Sequence, residues 1–258
     1  MRRLIEFPCA GDTLTGTLDE GTGQTGLLIV SGGNEIRAGA HRGMAMLAAR
    51  VAGELSAPVF RYDRRGIGDS TGTNRGFESS IQDLAAAAAT FTAEAPQVQR
   101  LVAFGNCDAA TALALFHSVA GVDALVLANP WVIDSPDEMP PAAAIRARYA
   151  ERLRDPRQWA RLVSGGVDIR KLIKGLAKVS GSRSETSDGL SARMAGALSA
   201  SGVPVTILIA RGDNTAIAFR AAWQGSAPIV ERDTASHSFA SAEDKDWLFD
   251  RIGEALAS

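Results

Sequence analysis

The segment around Cys107 carries the strongest chemical signal in this chain. An apolar run, Leu101–Phe104, leads into the pattern Gly-x-Cys-x-Ala, and a helix-forming stretch follows. A strand that turns sharply into a helix through small residues on either side of a nucleophile is a nucleophile elbow. Gly105 and Ala109 would let the strand and the helix approach closely. The N–H of Asp108 would point at the space above the sulfur, as half of an oxyanion hole. The alternative is a buried cysteine that ends an ordinary strand.

A nucleophilic thiol needs a base, and the chain offers three histidines. His117 follows Cys107 by ten residues along the predicted helix, so it would be about 15 Å from the sulfur, too far to act on it. His237 lies in a polar loop between the last predicted strand and the last predicted helix, and it is the expected base. The alternative is an ordinary histidine on a surface loop. His41 lies near the glycine-rich loop that follows the first buried strand and that is expected to supply an oxyanion donor (the oxyanion loop). We expect His41 to help shape this loop.

A catalytic imidazole also needs an acceptor for its second nitrogen. Asp213 stands after a predicted strand and before His237, so the chain order becomes nucleophile, acid, base, with Asp134 as the fallback acid. Asp213 could equally be a turn residue or a helix cap. The second oxyanion donor is expected from the glycine-rich loop after the first buried strand, at the N–H of Gly33 or of Asn34.

Apolar patterning predicts the elements that would position these side chains. Arg3–Cys9 and Thr13–Asp19 flank the turn residues Ala-Gly-Asp, which predicts an antiparallel hairpin. Strands with continuous apolar runs then alternate with helices, which predicts an α/β fold with a mostly parallel central sheet and helices on both faces. The predicted strands are Gly26–Ser31, Ala57–Tyr62, Arg100–Phe104, Ala124–Ala128, Val203–Ala210 and Pro228–Arg232. The predicted helices are Ala40–Leu55, Ser79–Ala95, Asp108–His117 and Asp244–Leu256.

The alternation of strand and helix stops between Pro130 and Gly202. We expect residues 131–202 to form a helical cap or lid over the carboxyl ends of the strands, and residues 1–130 and 203–258 to form the core. The alternative is that these helices only cover one face of the sheet. The expected helical stretches are Ala142–Arg154, Pro156–Val163, Ile169–Val179 and Leu190–Ser201, and Gly181–Gly189 is expected to be a mobile loop.

Composition narrows the choice of partners. A formal net charge of -2 over 258 residues gives no reason to expect nucleic acid. The two cysteines, Cys9 and Cys107, are far apart and not in a metal-binding spacing, so we expect neither a disulfide framework nor a metal or other cofactor. The first residues lack the apolar segment of a secretory signal, and no run approaches the ~18 apolar residues of a transmembrane helix. The sequence therefore predicts a cytoplasmic protein with a reduced thiol at Cys107.

Several motifs together resemble a known family. Tyr62–Ser70 is similar to the D-x-R-G-x-G-x-S loop of α/β-hydrolases, for which we expect a tight loop beside the site without a chemical role. More narrowly, Gly-Gly-Asn at 32–34, Gly-Ala-His-Arg at 39–42, Gly-Asn-Cys-Asp-Ala-Ala at 105–110 and Asn-Pro-Trp-Val at 129–132 resemble the exosortase A system-associated hydrolase 1 group. That likeness runs from about Ile5 to Arg161. It implies the α/β-hydrolase fold, a cysteine nucleophile and a link to exopolysaccharide or envelope metabolism in Gram-negative bacteria, and it implies no particular substrate.

The resulting expectation is a hydrolase that cleaves a small-molecule or carrier-bound acyl ester or thioester. Cys107 would attack the carbonyl, His237 would transfer the proton, and Asp213 would orient His237. An alcohol could resolve the acyl-cysteine in place of water, so an acyltransferase is one alternative. A non-catalytic scaffold that keeps the fold for protein contacts is another. A scaffold has no need for Cys, Asp and His at three strand ends.

Overall fold

The computed structural model describes residues 1–132 and 189–258. Its strands are β1 Arg2–Cys9, β2 Asp12–Asp19, β3 Thr25–Val30, β4 Val59–Tyr62, β5 Arg100–Asn106, β6 Ala124–Ala128, β7 Val205–Ala210 and β8 Ile229–Arg232. Its α-helices are α1 Gly43–Glu54, α2 Ile81–Glu94, α3 Asp108–Phe116, α4 Leu190–Ser201, α5 Asn214–Ala222 and α6 Ala242–Ala257. Within the described residues the strands form one sheet in the order β1-β2-β4-β3-β5-β6-β7-β8. β2 pairs antiparallel with β1 and β4, and all later pairs are parallel. The predicted α/β fold is confirmed.

The sheet is covered on both faces, as the continuous apolar strands predicted. Alternate residues of a strand point to opposite faces, so Leu27 and Ile29 of β3 pack with α1 and α6. Leu28 and Val30 face the other way, into a cluster shared with α2, α3, α4 and α5. All four side chains are almost completely buried. Burial on both faces explains why the central parallel strands are mostly apolar. The exception is Arg61 in β4, which is buried and paired with Asp19.

Two local structures depend on residues with positive φ. The hairpin between β1 and β2 turns through Ala10 (φ 53°) and Gly11 (φ 90°), the two-residue geometry that matches the twist of paired strands. The prediction that a helix begins at Ala40 was wrong in detail. His41 and Arg42 have φ of 52° and 60°, so residues 40–42 form a short 3₁₀ turn and α1 begins at Gly43.

The predicted cap falls mostly outside the described residues. The expected helices within 142–179, the expected loop from 181 and the fallback acid Asp134 all lie there, so the division into core and cap stays a prediction. The last predicted stretch of the cap is a helix with the predicted bounds, α4, and it packs against α3. Its Leu190, Met194 and Leu198 join the cluster on that face of the sheet. In the ranges 1–132 and 189–258, no helix combines the length and the apolar character that crossing a bilayer requires.

We predict opposite effects for two glycine-to-alanine substitutions. A Cβ on Gly16 of β2 would lie 2.3 Å from the ring of Phe60, which is fully buried and stacked 5.6 Å from Phe91. Phe60 cannot yield, so Gly16→Ala should lower the free energy of unfolding by roughly 1–3 kcal/mol. A Cβ on Gly53 of α1 would meet nothing within 4 Å, so Gly53→Ala should raise it by roughly 0.5–1 kcal/mol. Urea unfolding of both variants measures the two changes, and equal effects would contradict this packing.

Candidate active site

Cys107 lies on a strained turn between β5 and α3. Its φ and ψ are 62° and −128°, outside the regions that residues with side chains ordinarily occupy. Its N–H donates to the carbonyl of Ala128 at 3.0 Å, which ties the turn to the end of β6. A Cβ on Gly105 would lie 2.8 Å from the backbone of Ala109, so strand and helix approach as closely as the sequence predicted. The half-buried Cys107 thiol therefore stands at the N-terminus of α3, which is the geometry of a nucleophile elbow.

The structure brings Asp213 and His237 into direct contact. His237 lies after β8, and its Nδ1 donates to Oδ2 of Asp213 at 2.9 Å. Asp213 follows β7 and caps α5, because the same carboxylate accepts the N–H of Ala216 at 3.0 Å. Asp213 is thus both a helix cap and the partner of a histidine, so the two interpretations of this residue do not compete. The helix that it caps, α5, was missed in the sequence.

Hydrogen bonding sets the protonation of the histidine. The bond to Asp213, and then a hydrogen bond with Cys107, raise the pKa of His237 to about 10, although burial opposes the rise. Burial raises the pKa of Asp213, but the bonds from His237 and from the N-terminus of α5 outweigh burial and leave that pKa below its ordinary value. His237 is therefore a cation at neutral pH, with Asp213 on one side and Cys107 on the other.

The two candidate donors in the oxyanion loop, the N–H groups of Gly33 and Asn34, differ in whether they already have a hydrogen-bond acceptor. A Cβ on Gly32 would lie 2.5 Å from the carbonyl oxygen of Asn106 and 3.4 Å from Cβ of Cys107, so the loop runs directly beside the elbow. The N–H of Gly33 donates to Oδ1 of the Asp108 side chain at 2.5 Å. The N–H groups of Asn34 and Asp108 have no acceptor among the residues that the structure describes.

The other two histidines stand apart from this group. His117 is buried beyond α3, where its Nδ1 lies 3.1 and 3.2 Å from the carbonyl oxygens of Leu113 and Ala114, so the ring caps the end of that helix. His41 is exposed on the 3₁₀ turn before α1. In the described part of the chain no hydrogen bond joins it to Cys107, Asp213 or His237.

Sequence reasoning missed a pair of asparagines that holds the histidine loop. Nδ2 of Asn106 and Nδ2 of Asn129 both donate to the carbonyl oxygen of His237, at 3.1 and 3.0 Å. Asn129 is fully buried, and its Oδ1 accepts the N–H of Ala210 at 2.8 Å. The ends of β5, β6 and β7 are thereby joined to His237. Both asparagines belong to motifs that carried the family resemblance, which was the available signal.

The loop at Tyr62–Ser70 also does more than the sequence indicated. Asp63, fully buried, accepts the backbone N–H of Arg37 at 2.5 Å, and Arg64 donates to the carbonyl oxygen of Gly33. Arg65 donates to Asp83 at 2.6 Å. Two of these contacts fix the oxyanion loop from outside, so this loop positions the site even though it presents no reactive group.

These features define a class of protein. A mostly parallel sheet that carries a thiol on an elbow, and an acid and a histidine after later strands, has the arrangement of an α/β-hydrolase. A family model described as the alpha/beta hydrolase family matches residues 27–251. The chain therefore belongs to the alpha/beta hydrolase family. No curated protein matches its sequence significantly.

Solved structures of similar fold include several hydrolases. The esterase Pf2001 of Pyrococcus furiosus superposes with a TM-score of 0.66 at 15% identity, over 100% of this chain and 90% of the esterase. DcsB, solved with its substrate analogue, gives 0.66 at 16% identity, over 100% and 99%. A dienelactone hydrolase from Anabaena variabilis gives 0.63 at 13% identity, over 100% and 97%. At such identities the likeness shows the fold alone.

The charge on His237 predicts how stability depends on pH. In the unfolded chain the imidazole loses its proton near its ordinary pKa of 6.5, whereas in the folded protein it keeps the proton up to about pH 10. The stabilisation is therefore complete below pH 6.5 and is lost as the pH rises to about 10. We expect the free energy of unfolding in urea to fall across this window. Asp213→Asn should flatten the decline, because asparagine still caps α5 but cannot pair with the cation. An NMR titration that gave His237 a pKa near 6.5 would contradict the assignment.

The asparagine pair predicts a graded loss of activity. Asn129→Asp keeps the size of the side chain and the acceptor for Ala210, but it turns an oxygen towards the His237 carbonyl in place of a donor. We expect kcat to fall at least about tenfold, because a small displacement of the imidazole misaligns proton transfer. Asn129→Asp also loses the bond from Nδ2 to Asn106, whereas Asn106→Asp loses only its bond to the His237 carbonyl and should cost less. Thermal melting and the pKa of His237 would be followed in both variants, and a kcat unchanged in Asn129→Asp would rule out a positioning role.

Proposed function

We propose that this protein hydrolyses an acyl ester or thioester through an acyl-cysteine intermediate on Cys107. The observation that carries the proposal is that His237 bonds Asp213 at 2.9 Å and lies close enough to Cys107 for the thiol to help raise the pKa of His237. These three residues come from loops after β7, β8 and β5, far apart in sequence. A scaffold would gain nothing from their convergence.

The chemistry follows from the charges in the site. The Cys107 sulfur attacks the carbonyl carbon, and the carbonyl π electrons move to oxygen to give a tetrahedral oxyanion. Collapse of this intermediate expels the alcohol or thiol, which takes the proton from Nε2 of His237. A water molecule then gives a proton back to His237 as it attacks the thioester, and the acid and the free thiolate leave. Asp213 keeps Nδ1 protonated throughout, so that Nε2 is the nitrogen that exchanges the proton.

Backbone N–H groups are the proposed stabilisers of the oxyanion. The Asp108 N–H stands at the first residue of α3, where unpaired helical donors and the helix dipole favour an anion. The oxyanion loop supplies the second donor, from Gly33 or Asn34. The close passage of Gly32 beside Cys107 supports this role for the loop.

The proposed setting is cytoplasmic and involves a small or carrier-bound acyl substrate. Cys9 and Cys107 are both free thiols, which suits a reducing compartment. A role in exopolysaccharide or envelope metabolism rests on the sequence motifs alone.

The test is to trap the acyl-enzyme. With p-nitrophenyl esters and acyl-CoA thioesters of rising chain length, quenched protein should gain the mass of the acyl group on the peptide that contains Cys107. Cys9 is the internal control: burial, followed by the neighbouring Asp83 carboxylate, raises its pKa to about 11, so it should stay unmodified. Acyl transfer to an added alcohol in place of water would identify an acyltransferase.

Two histidine variants separate mechanism from stability. His237→Ala should lower kcat/KM at least about a hundredfold with little change in folding, because it removes the group that transfers the proton. His117→Ala removes the same ring from the core, so it should lower the melting temperature and keep kcat/KM within about twofold. Full activity in His237→Ala, or acylation of Cys9 in place of Cys107, would refute the proposal.

A further inference from the structure

The side chain of Asp108 accepts a hydrogen bond from a backbone N–H that the proposed reaction would use to stabilise the oxyanion. Its Oδ1 accepts the N–H of Gly33 at 2.5 Å. Asp108 directly follows Cys107, so this N–H points towards the elbow. Under the proposed function, Gly33 N–H is one of the two candidates for the second oxyanion donor.

Arg64 fixes the orientation of the same peptide. Its Nη2 donates to the carbonyl oxygen of Gly33 and lies 3.3 Å from Oδ2 of Asp108, so Gly33, Asp108 and Arg64 form a closed set of contacts. In a planar trans peptide the Gly33 carbonyl and the Asn34 N–H point in opposite directions. The Asn34 N–H is therefore directed away from the Arg64 guanidinium. Of the two candidate donors, Gly33 N–H is the one that bonds the residue next to Cys107.

We propose that the Asp108 carboxylate occupies the oxyanion position in the resting protein, and that an acyl substrate must displace it before Gly33 N–H can stabilise the tetrahedral intermediate. This inference rests on the proposed function of Cys107. A carboxylate oxygen and the oxyanion carry the same charge and need the same donor, so they cannot occupy it together. Asp108 thus contributes its own N–H to the oxyanion hole while its side chain blocks the second donor.

The displaced carboxylate has a second partner within reach. Only 2% of the Arg64 surface is exposed, and its Nε and Nη1 have no acceptor among the described residues. A guanidinium presents pairs of donors that fit the two oxygens of one carboxylate. Asp108 can therefore leave Gly33 and take both of its oxygens to Arg64, without becoming an unpaired charge. Arg64 occupies the x position of the D-x-R-G motif, so the motif does not itself require an arginine there. The pairing of Arg64 with Asp108 is therefore a feature of this sequence and not of the motif.

The test compares two reactions of the same sulfur. Acylation by p-nitrophenyl acetate forms an oxyanion, whereas alkylation by iodoacetamide displaces iodide and forms none. Asp108→Asn keeps the backbone N–H and the size of the side chain but binds Gly33 N–H without a charge, so a substrate should displace it more readily. We expect the ratio of the acylation rate to the alkylation rate to rise about tenfold. Dividing by the alkylation rate removes any change in the reactivity of the sulfur.

Matched variants complete the experiment. Asp250→Asn neutralises an exposed carboxylate on α6, a helix that packs against α1, and it should leave the ratio unchanged. Asp108→Ala removes the blocking carboxylate while Arg64 keeps its bond to the Gly33 carbonyl, and it should raise the ratio as Asp108→Asn does. Circular dichroism would verify folding of each variant.

A measurement without substrate tests the occupancy directly. In ¹⁵N-labelled resting protein, the Gly33 amide proton should resonate well downfield, as expected for a short bond to a carboxylate, and Asp108→Asn should move it upfield. An unchanged or lower rate ratio in both Asp108→Asn and Asp108→Ala would show that Asp108 only supports the loop, and it would overturn the proposal. An unmoved Gly33 resonance would overturn it as well. If wild-type Cys107 were not acylated at all, the proposed function would fail, and the Gly33 resonance would still decide whether Asp108 occupies the donor.

Discussion

The active site depends on how the backbone of His237 is held. Asn106 and Asn129 donate to its carbonyl oxygen, and Asn129 also accepts the N–H of Ala210, so the ends of three adjacent strands are tied to one loop. Other contacts hold the flanks of this loop, such as the buried Phe239 ring stacked on Trp247, but the two asparagines bond the backbone of His237 itself. The ring can meet Asp213 and Cys107 together because its own backbone is fixed by groups that take no part in the chemistry. The ends of the strands therefore fix the position of the His237 side chain, although His237 itself lies in a loop outside the sheet.

Burying the Asn129 side chain costs free energy, and its hydrogen bonds offset that cost. Burying an amide without partners is unfavourable, and Asn129 is completely buried. Both polar atoms of its side chain have partners: Nδ2 donates to Asn106 and to His237, and Oδ1 accepts the N–H of Ala210. Asn129 also adopts φ 42°, a conformation that asparagine tolerates better than most residues. The same residue type therefore meets the backbone and the hydrogen-bonding requirements together, and removing it would leave several buried groups unpaired.

The sequence predicted the parts of this arrangement that depend on local pattern. Apolar runs gave the parallel strands, and the order of Cys107, Asp213 and His237 after three of them gave the candidate site. Left-handed residues at 41 and 42 hid the true start of α1, and the helix after Asp213 was missed because the Gly-Asp-Asn segment before it is typical of a turn. The asparagine pair joins residues up to 131 positions apart through a carbonyl oxygen, which no spacing rule detects. Likewise, no pattern in one sequence indicates that a side chain at 108 bonds the backbone at 33.

Cys107 lies between two pairs of oppositely charged side chains. On one side a cationic His237 faces the sulfur, backed by Asp213; on the other, the Asp108 carboxylate lies against the oxyanion loop, backed by Arg64. Asp213 and His237 follow β7 and β8, whereas Arg64 follows β4 and Asp108 follows β5, on the other side of the sheet order. Both pairs are present before any substrate arrives. Under the proposed mechanism, negative charge moves from the Cys107 sulfur to the carbonyl oxygen of the substrate, and Asp108 keeps Arg64 as its partner when it leaves Gly33. The number of charges in the site then stays the same during the attack.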